Sequence, residues 1–135
     1  MIKIREVRPE DKEAWNRVAQ ESPHATYAHT WEWKQTLERG FGVRPLCLVA
    51  EQNGDLVGIY PAFLRARFEP QGRFVWLKML CFRKAQVLWS PLYLTWDYGG
   101  PCVAPHAPST VCQDLCKEME RRAQQHGAIE IRVSP

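Results

Sequence analysis

The sequence lacks the features that mark secreted, membrane-spanning and metal-binding proteins. No charged-then-apolar leader follows Met1, and no apolar run approaches the length of about 18 residues that a membrane helix needs. The cysteines form no C-x-x-C pair, and no histidine lies near Cys112 and Cys116 at a zinc-finger spacing. These absences predict a cytoplasmic protein with reduced thiols and no bound metal.

The sequence also lacks a strong charge of one sign. Its net charge is +3 over 135 residues, of which 45% are hydrophobic and 24% charged, as in ordinary globular proteins. The length predicts one domain, residues 1–135, with one sizeable core. Basic residues do outnumber acidic ones between residues 65 and 84. This stripe is explained either by solvated strand faces or by contact with RNA or phosphates.

A nucleophilic triad is missing as well, because no histidine has a carboxylate or cysteine at a motif spacing. His29 lies beside an aromatic cluster and is the one candidate for acid–base chemistry. His126 lies near a predicted helix end, where it would compensate the helix dipole.

Three helices are predicted from apolar residues at helical spacing. The first begins at Pro9 and places Ala14, Trp15 and Val18 on one face. The second is "WEWKQTLERGFG", with Trp33 and Leu37 on one face and Gly40 as its stop. The third runs from Ser109 to His126 and ends at Gly127, and its apolar stripe is Cys112, Cys116, Met119 and Ala123.

Strands are predicted before, between and after these helices. Asn53-Gly54 lies between two apolar runs, which predicts a tight hairpin turn. Gly58 and Pro61 in the second run indicate a strand that is bulged or at a sheet edge. The predicted strands are "IKIREV", "PLCLVA", "DLVGIYPAFL", "GRFVWLKML", "AQVLWSPLYL" and "AIEIRV".

The element order β-α-α-β-β-β-β-α-β predicts an α/β fold with a mixed, mostly antiparallel sheet flanked by helices. The last strand should be parallel to a neighbour, with an open outer edge. The sheet therefore looks incomplete at the C-terminus, and a second copy of the chain or a further domain could pair there.

The stretch "WDYGGPCVAP" combines two glycines with prolines just before the third helix. Glycines allow either a sharp turn or a close approach of backbone to a ligand, and both interpretations remain open.

The opening of the chain resembles that of GNAT acetyltransferases in general, in the segment "IREVRPEDKEAW". Three further segments resemble, in the same order, the first half of FemAB-like proteins: "ATYAHTWEWKQTLERGFG", "PLCLVAEQNGDLVGIYPAFL" and "WDYGGPCVAP". FemAB-like proteins are peptidoglycan-bridge aminoacyltransferases with two GNAT-like halves. The resemblance implies a first half, present as a fragment or standing alone, with a substrate cleft. Bridge-forming members carry a phosphate-binding lysine shortly after the tryptophan that corresponds to Trp33; Gln35 aligns there, with Lys34 adjacent. The expected substrate-binding residues are Trp33, Lys34, Gln35, Tyr60, Asp97, Tyr98, Gly99 and Gly100.

The resemblance implies transfer of an acyl or aminoacyl group to an amine of a cell-wall or polysaccharide precursor. It implies a sugar-nucleotide or other small-molecule acceptor, an aminoacyl-tRNA donor and no cofactor, and this half alone is expected to be inactive. Catalytic residues are not identified. GNAT enzymes cradle a pyrophosphate in a Gly-rich loop, and the spacing of that loop is missing here. The alternatives are a small acetyl-CoA-dependent N-acetyltransferase and a non-catalytic scaffold or binding domain.

Overall fold

The computed structural model describes residues 1–41, 43–66, 86–89 and 99–132. Three α-helices and eight strands lie in this part of the chain. The helices are α1 (Lys12–Glu21), α2 (Trp31–Phe41) and α3 (Thr110–Gln125), and short 3-10 turns cover Pro9–Asp11 and Tyr27–His29. The strands are β1 (Ile2–Glu6), β2 (Arg44–Pro45), β3 (Leu48–Gln52), β4 (Asp55–Tyr60), β5 (Phe63–Ala66), β6 (Gln86–Trp89), β7 (Cys102–Val103) and β8 (Ala128–Arg132).

The described strands form two four-stranded sheets rather than the single sheet predicted. One has the antiparallel order β1-β3-β4-β7, and the other has the order β2-β5-β6-β8, in which β6 and β8 are parallel. Pro61 explains the division, because the chain leaves β4 at Tyr60 and enters the second sheet at Phe63. The mixed, mostly antiparallel α/β class and the parallel last strand are confirmed.

Helices cover both faces of the first sheet. Alternate residues of β3 show this, since Val49 packs with α1 and α2 whereas Leu48 and Ala50 pack with α3. The α3 cluster also includes Leu64 and Leu88 of the second sheet. One helix therefore packs against both sheets and joins them into one core.

The β3–β4 hairpin has the predicted turn and the predicted bulge. Asn53 and Gly54 have φ values of +54° and +93°, as a tight hairpin turn requires. Ala50 pairs with Gly58 and Glu51 pairs with Leu56, so Val57 is the extra residue of the bulge.

Two details of the helices differ from the prediction. Gly40 lies inside α2 rather than stopping it. The buried stripe of α3 begins with Val111 and Leu115 and continues with Met119 and Ala123, while Cys112 and Cys116 are only half-buried. Both errors have the same reason: a helix end and the exact facing side depend on what packs against the helix.

Several predicted features lie outside the described residues. These are the strand "GRFVWLKML", the residues after Trp89 in "AQVLWSPLYL", and most of the basic stripe between residues 65 and 84. No helix in the described ranges is long and apolar enough to cross a bilayer.

Candidate functional site

Five of the predicted site residues lie in two segments that the structure describes. Trp33, Lys34 and Gln35 lie in the first turns of α2, and Gly99 and Gly100 lie just before β7. Asp97 and Tyr98 lie outside the described residues.

His29 lies in the turn before α2, and both of its ring nitrogens form hydrogen bonds, one of which reaches Gly100. Its Nδ1 accepts from the backbone N–H of Thr26 at 3.1 Å, and its Nε2 lies 3.0 Å from the carbonyl oxygen of Gly100. Because Nδ1 must accept, the proton is on Nε2, which donates to Gly100. The ring is fully buried, and this burial lowers the pKa of His29, so the imidazole is neutral at pH 7. With both nitrogens bound to backbone groups, His29 serves as a link between segments and not as an acid or base.

The backbone around His29 is itself fixed by the core. Trp15 of α1 donates from its indole Nε1 to the carbonyl oxygen of His29 at 2.6 Å. The Trp15 ring meets Trp31 edge to face, with the ring centroids 6.0 Å apart. Trp31, and not Trp33, is therefore the residue through which the start of α2 packs into the core.

Lys34 is buried, although it is a lysine near the start of a helix. Its ammonium forms an ion pair with Glu38 one turn along α2 and lies 4.5 Å from the centroid of the Trp31 ring. Gln35, the next residue, is half-buried. The lysine thus lies against the core with a carboxylate partner, and Gln35 lies closer to solvent.

Trp33 and Tyr27 form an aromatic pair at the end of this segment. Their rings meet edge to face with centroids 5.3 Å apart, and Tyr27 is 45% exposed. The Trp33 indole N–H has no acceptor among the described residues. That nitrogen is buried, so what the pair presents to solvent is a partly exposed apolar surface.

Tyr60, the last residue of β4, is only 3% exposed. It packs in the α3-side cluster with Val111 and Leu115. Tyr60 thus lies beneath the surface on the α3 face of the sheet, whereas the α2 segment lies on the opposite face.

The junction between β7 and α3 is the second chemically distinctive place. The N–H of Ala104 donates to the carbonyl of Val57 at 2.9 Å, so the backbone groups of Val103, one residue earlier, point to the opposite edge of β7. No described strand pairs with that edge. Val103 therefore presents a backbone donor and acceptor to an edge that an extended ligand could occupy.

The loop from β7 into α3 also retains free backbone donors. Its prolines have no N–H, and the N–H groups of Ala107 and Val111 are bound by carbonyls of the same loop. In the described part of the chain, no carbonyl accepts from the N–H groups of His106, Ser109 and Thr110. These exposed groups lie at the positive end of a helix of 16 residues, and they fit a phosphate group.

The described cysteines do not supply a nucleophile. Burial raises the pKa of Cys47 to about 12 and the pKa of Cys102 to about 11, so both stay protonated at neutral pH. Burial also raises the pKa of Cys116, which lies one helical turn after Cys112. No group of three or more metal-ligating side chains occurs within the ranges that the structure describes.

Comparison with known proteins was made at the levels of sequence and structure. No family model matches the sequence, and no curated protein matches it. Among solved structures, it is similar to a GNAT family acetyltransferase from Brucella melitensis in complex with acetyl-CoA, with a TM-score of 0.60 and 18% identity. The match covers 95% of this chain and 71% of that one.

Two further structures have comparable similarity. The aminoglycoside N-acetyltransferase AAC(6')-Iy in complex with CoA matches with a TM-score of 0.58 and 16% identity, over 97% of this chain and 74% of that one. A transcriptional regulator from Bacillus halodurans C-125 matches with a TM-score of 0.60 and 13% identity, over 97% of this chain and 79% of that one.

The chain has the GNAT acetyltransferase fold. The GNAT part of the expectation is confirmed at the level of the fold, and the similar structures do not show the FemAB-like specificity. The expectation of no cofactor was wrong, because the similar GNAT enzymes were solved with acetyl-CoA or CoA. It rested on a missing glycine spacing, whereas backbone N–H groups for a phosphate can come from residues of any type.

The sequence gives no indication of two parts of this site: the edge of β7 and the backbone donors before α3. Tyr27 stands close to Trp31 and Trp33 in the sequence, where aromatic residues most often belong to the core, and only the structure shows that it is exposed. A two-residue strand such as β7 has no pattern that the sequence could reveal.

Proposed function

We propose that this protein is an N-acyltransferase domain that takes an acyl group from acyl-CoA and transfers it to an amine. The observation that carries the proposal is the β7–α3 junction in a GNAT fold. There the edge of β7 at Val103, which no described strand pairs, leads directly to N–H groups at the start of α3 that no carbonyl of the described residues binds. An extended ligand with amides and a phosphate has the chemistry that such a junction recognises.

The donor would be held by backbone groups. Val103 offers its N–H and C=O to an amide of the donor, and Ser109 and Thr110 offer N–H groups to its phosphate. When bound, acyl-CoA supplies an acyl group on a thioester. The free amine of the acceptor attacks that carbonyl. A C–N bond forms, the C–S bond breaks, and the proton that the amine loses is taken up by the leaving thiolate, so that CoA leaves as a thiol.

The protein accelerates this reaction mainly by holding the two partners together, which can contribute about 7–11 kcal/mol to lowering the barrier. A cytoplasmic location fits the proposal, because acyl-CoA is an intracellular donor and the described cysteines Cys47, Cys102, Cys112 and Cys116 are free thiols.

For the acceptor, we propose an amino sugar of a cell-wall or polysaccharide precursor, bound near the start of α2. The exposed Tyr27 and the half-buried Trp33 offer aromatic rings, which suit a sugar ring. Gln35, Gly99 and Gly100 would border the acceptor. Further proposed members are Asp97 and Tyr98 beside the glycines, Lys34 beside the Trp31 ring, and Tyr60 on the α3 side of the sheet.

The donor half is tested by thermal shift with CoA and acetyl-CoA. We expect both to raise Tm, because a ligand that binds only the native state stabilises it. Thr110→Glu should abolish the shift, since its carboxylate repels a phosphate at the same N–H groups. Gln125→Glu adds the same charge at the exposed far end of α3 and should keep the shift. A wild-type chain that shows no shift, or equal loss in both variants, would refute CoA binding at this junction.

The acceptor half is tested with a panel of UDP-linked amino sugars and simple amines in the presence of acetyl-CoA, by release of free thiol. Turnover of the amino sugars that falls at least tenfold in Trp33→Ala supports the acceptor proposal. CoA binding without turnover of any amine would leave a binding or scaffold domain as the better description.

A further inference from the structure

We infer that His29 is a positioning residue that sets the place of the Gly99–Gly100 segment relative to the start of α2, through the hydrogen bond from its Nε2 to the Gly100 carbonyl. The inference rests on the proposed function only in taking these two segments as the border of the acceptor site. The link itself is a feature of the fold and can be tested without a ligand.

The geometry assigns one task to each ring nitrogen. Nδ1 accepts from Thr26 N–H at 3.1 Å, inside the turn that precedes α2. Nε2 donates to Gly100, 71 residues away along the chain, at 3.0 Å. A single rigid ring therefore sets the separation of two distant pieces of backbone, and no flexible side chain lies between them.

The residues around His29 hold its imidazole ring in place. His29 is fully buried, and its carbonyl accepts from Trp15 Nε1 at 2.6 Å. Gly99 and Gly100 are buried as well and lead directly into Pro101 and β7. Because glycines restrain their own backbone weakly, a bond to the Gly100 carbonyl has more effect on this segment than it would have on a regular strand.

Two amides reproduce the two halves of the imidazole, which provides a matched pair of variants. In His29→Gln the side-chain amide reaches the place of Nε2 and can still donate to Gly100. In His29→Asn the side-chain oxygen takes the place of Nδ1 and can still accept from Thr26, but it cannot reach Gly100. The two variants differ by one methylene and in which bond they retain.

The experiment is hydrogen–deuterium exchange of the full chain, measured for peptides that cover residues 24–30 and 99–104. For His29→Asn we expect exchange of 99–104 to rise roughly tenfold, the effect of one lost hydrogen bond, with little change in 24–30. For His29→Gln we expect the reverse. An equal effect of both variants on both peptides, or no effect on 99–104 in either, would overturn the inference and leave His29 as a simple core residue.

The wild-type chain provides a second test that needs no variant. NMR of the ¹⁵N-labelled imidazole should show the proton on Nε2 of His29 at pH 7, protected from exchange. A proton on Nδ1 would overturn the inference even if the variants failed to fold. Acyl transfer that is absent from a chain with the expected exchange pattern would refute the proposed function and leave the positioning role intact.

Discussion

At the scale of single residues, the packing of α3 on the first sheet depends on Gly58, which has no side chain. Gly58 lies in the bulge of β4 directly under α3. A Cβ there would lie 2.9 Å from Val111 Cγ1 and 3.0 Å from Leu115 Cδ1. Real Cβ atoms do not approach so closely, so the sheet and helix pack at this distance only because residue 58 is glycine.

We therefore expect Gly58→Ala to lower the free energy of unfolding by about 1–2 kcal/mol, because overpacking outweighs the entropy that alanine saves in a strand. Gly40→Ala is the matched control. It is exposed in α2 with nothing within 4 Å of a Cβ, and it should gain up to about 1 kcal/mol. Urea unfolding of both variants checks the pair, and a neutral or stabilising Gly58→Ala would contradict the packing described.

At the scale of elements, one carboxylate links the segment before α1 to the first sheet, in addition to the apolar packing of α1. Asp11 accepts two hydrogen bonds from the Arg5 guanidinium of β1, at 2.7 and 2.8 Å, and one from the backbone N–H of Arg8. Arg5 also contacts Glu51 of β3 at 3.1 Å. The bond from Arg5, more than any other cause, holds the pKa of Asp11 below its usual value.

Asp11→Asn should lower the free energy of unfolding by about 2–3 kcal/mol, because a largely buried Arg5 loses its bidentate partner. Glu10→Gln is the control: this neighbour is exposed, lies 3.9 Å from Arg8 at its closest, and should change stability by less than about 0.5 kcal/mol. Thermal unfolding at pH 7 compares them. Equal effects would mean that the Arg5–Asp11 pair contributes no more than an ordinary surface pair.

At the scale of the whole molecule, a buried histidine and the carboxylates with lowered pKa values, such as Glu118, predict acid destabilisation in different pH ranges. Burial lowers the pKa of His29 from 6.5 in the folded state. As the pH falls below 6.5, the unfolded chain therefore binds more protons than the folded one, and the free energy of unfolding decreases. The carboxyl of Glu118, bound by Arg121 and Arg122, has its pKa lowered from 4.5 to about 2. Its contribution is complete above pH 4.5 and is lost as the pH falls toward 2.

We expect the unfolding free energy to decrease as the pH falls below 6.5, with a slope of up to about 1.4 kcal/mol per pH unit for one proton. His29→Gln, which cannot titrate, should remove this slope and retain the decline below pH 4.5. Urea unfolding at four or five pH values measures both steps. A slope above pH 5 that survives in His29→Gln would show that another group is responsible.

The local signals in the sequence predicted the local structure well. Asn53-Gly54 identified the hairpin because positive φ angles favour these residue types, and Gly58 and Pro61 indicated a bulge or an edge because neither residue suits the interior of a regular strand. The helices were predicted where apolar spacing was regular, although α2 continues through Gly40 and the stripe of α3 begins at Val111. Each of these errors concerns what packs against the element, which a periodic pattern does not contain.

The sequence by itself determined the α/β class and the hairpin, and it predicted two segments for the candidate site. Only the tertiary structure decided how they meet: that Pro61 separates two sheets, that His29 reaches Gly100 across 71 residues, and that Trp31 takes the buried place beside Lys34 while Trp33 stays half-exposed. The physical reason is the range of the interactions. Turn angles and helical spacing act over a few residues, whereas burial and the bonds of a buried imidazole depend on groups that are distant along the chain.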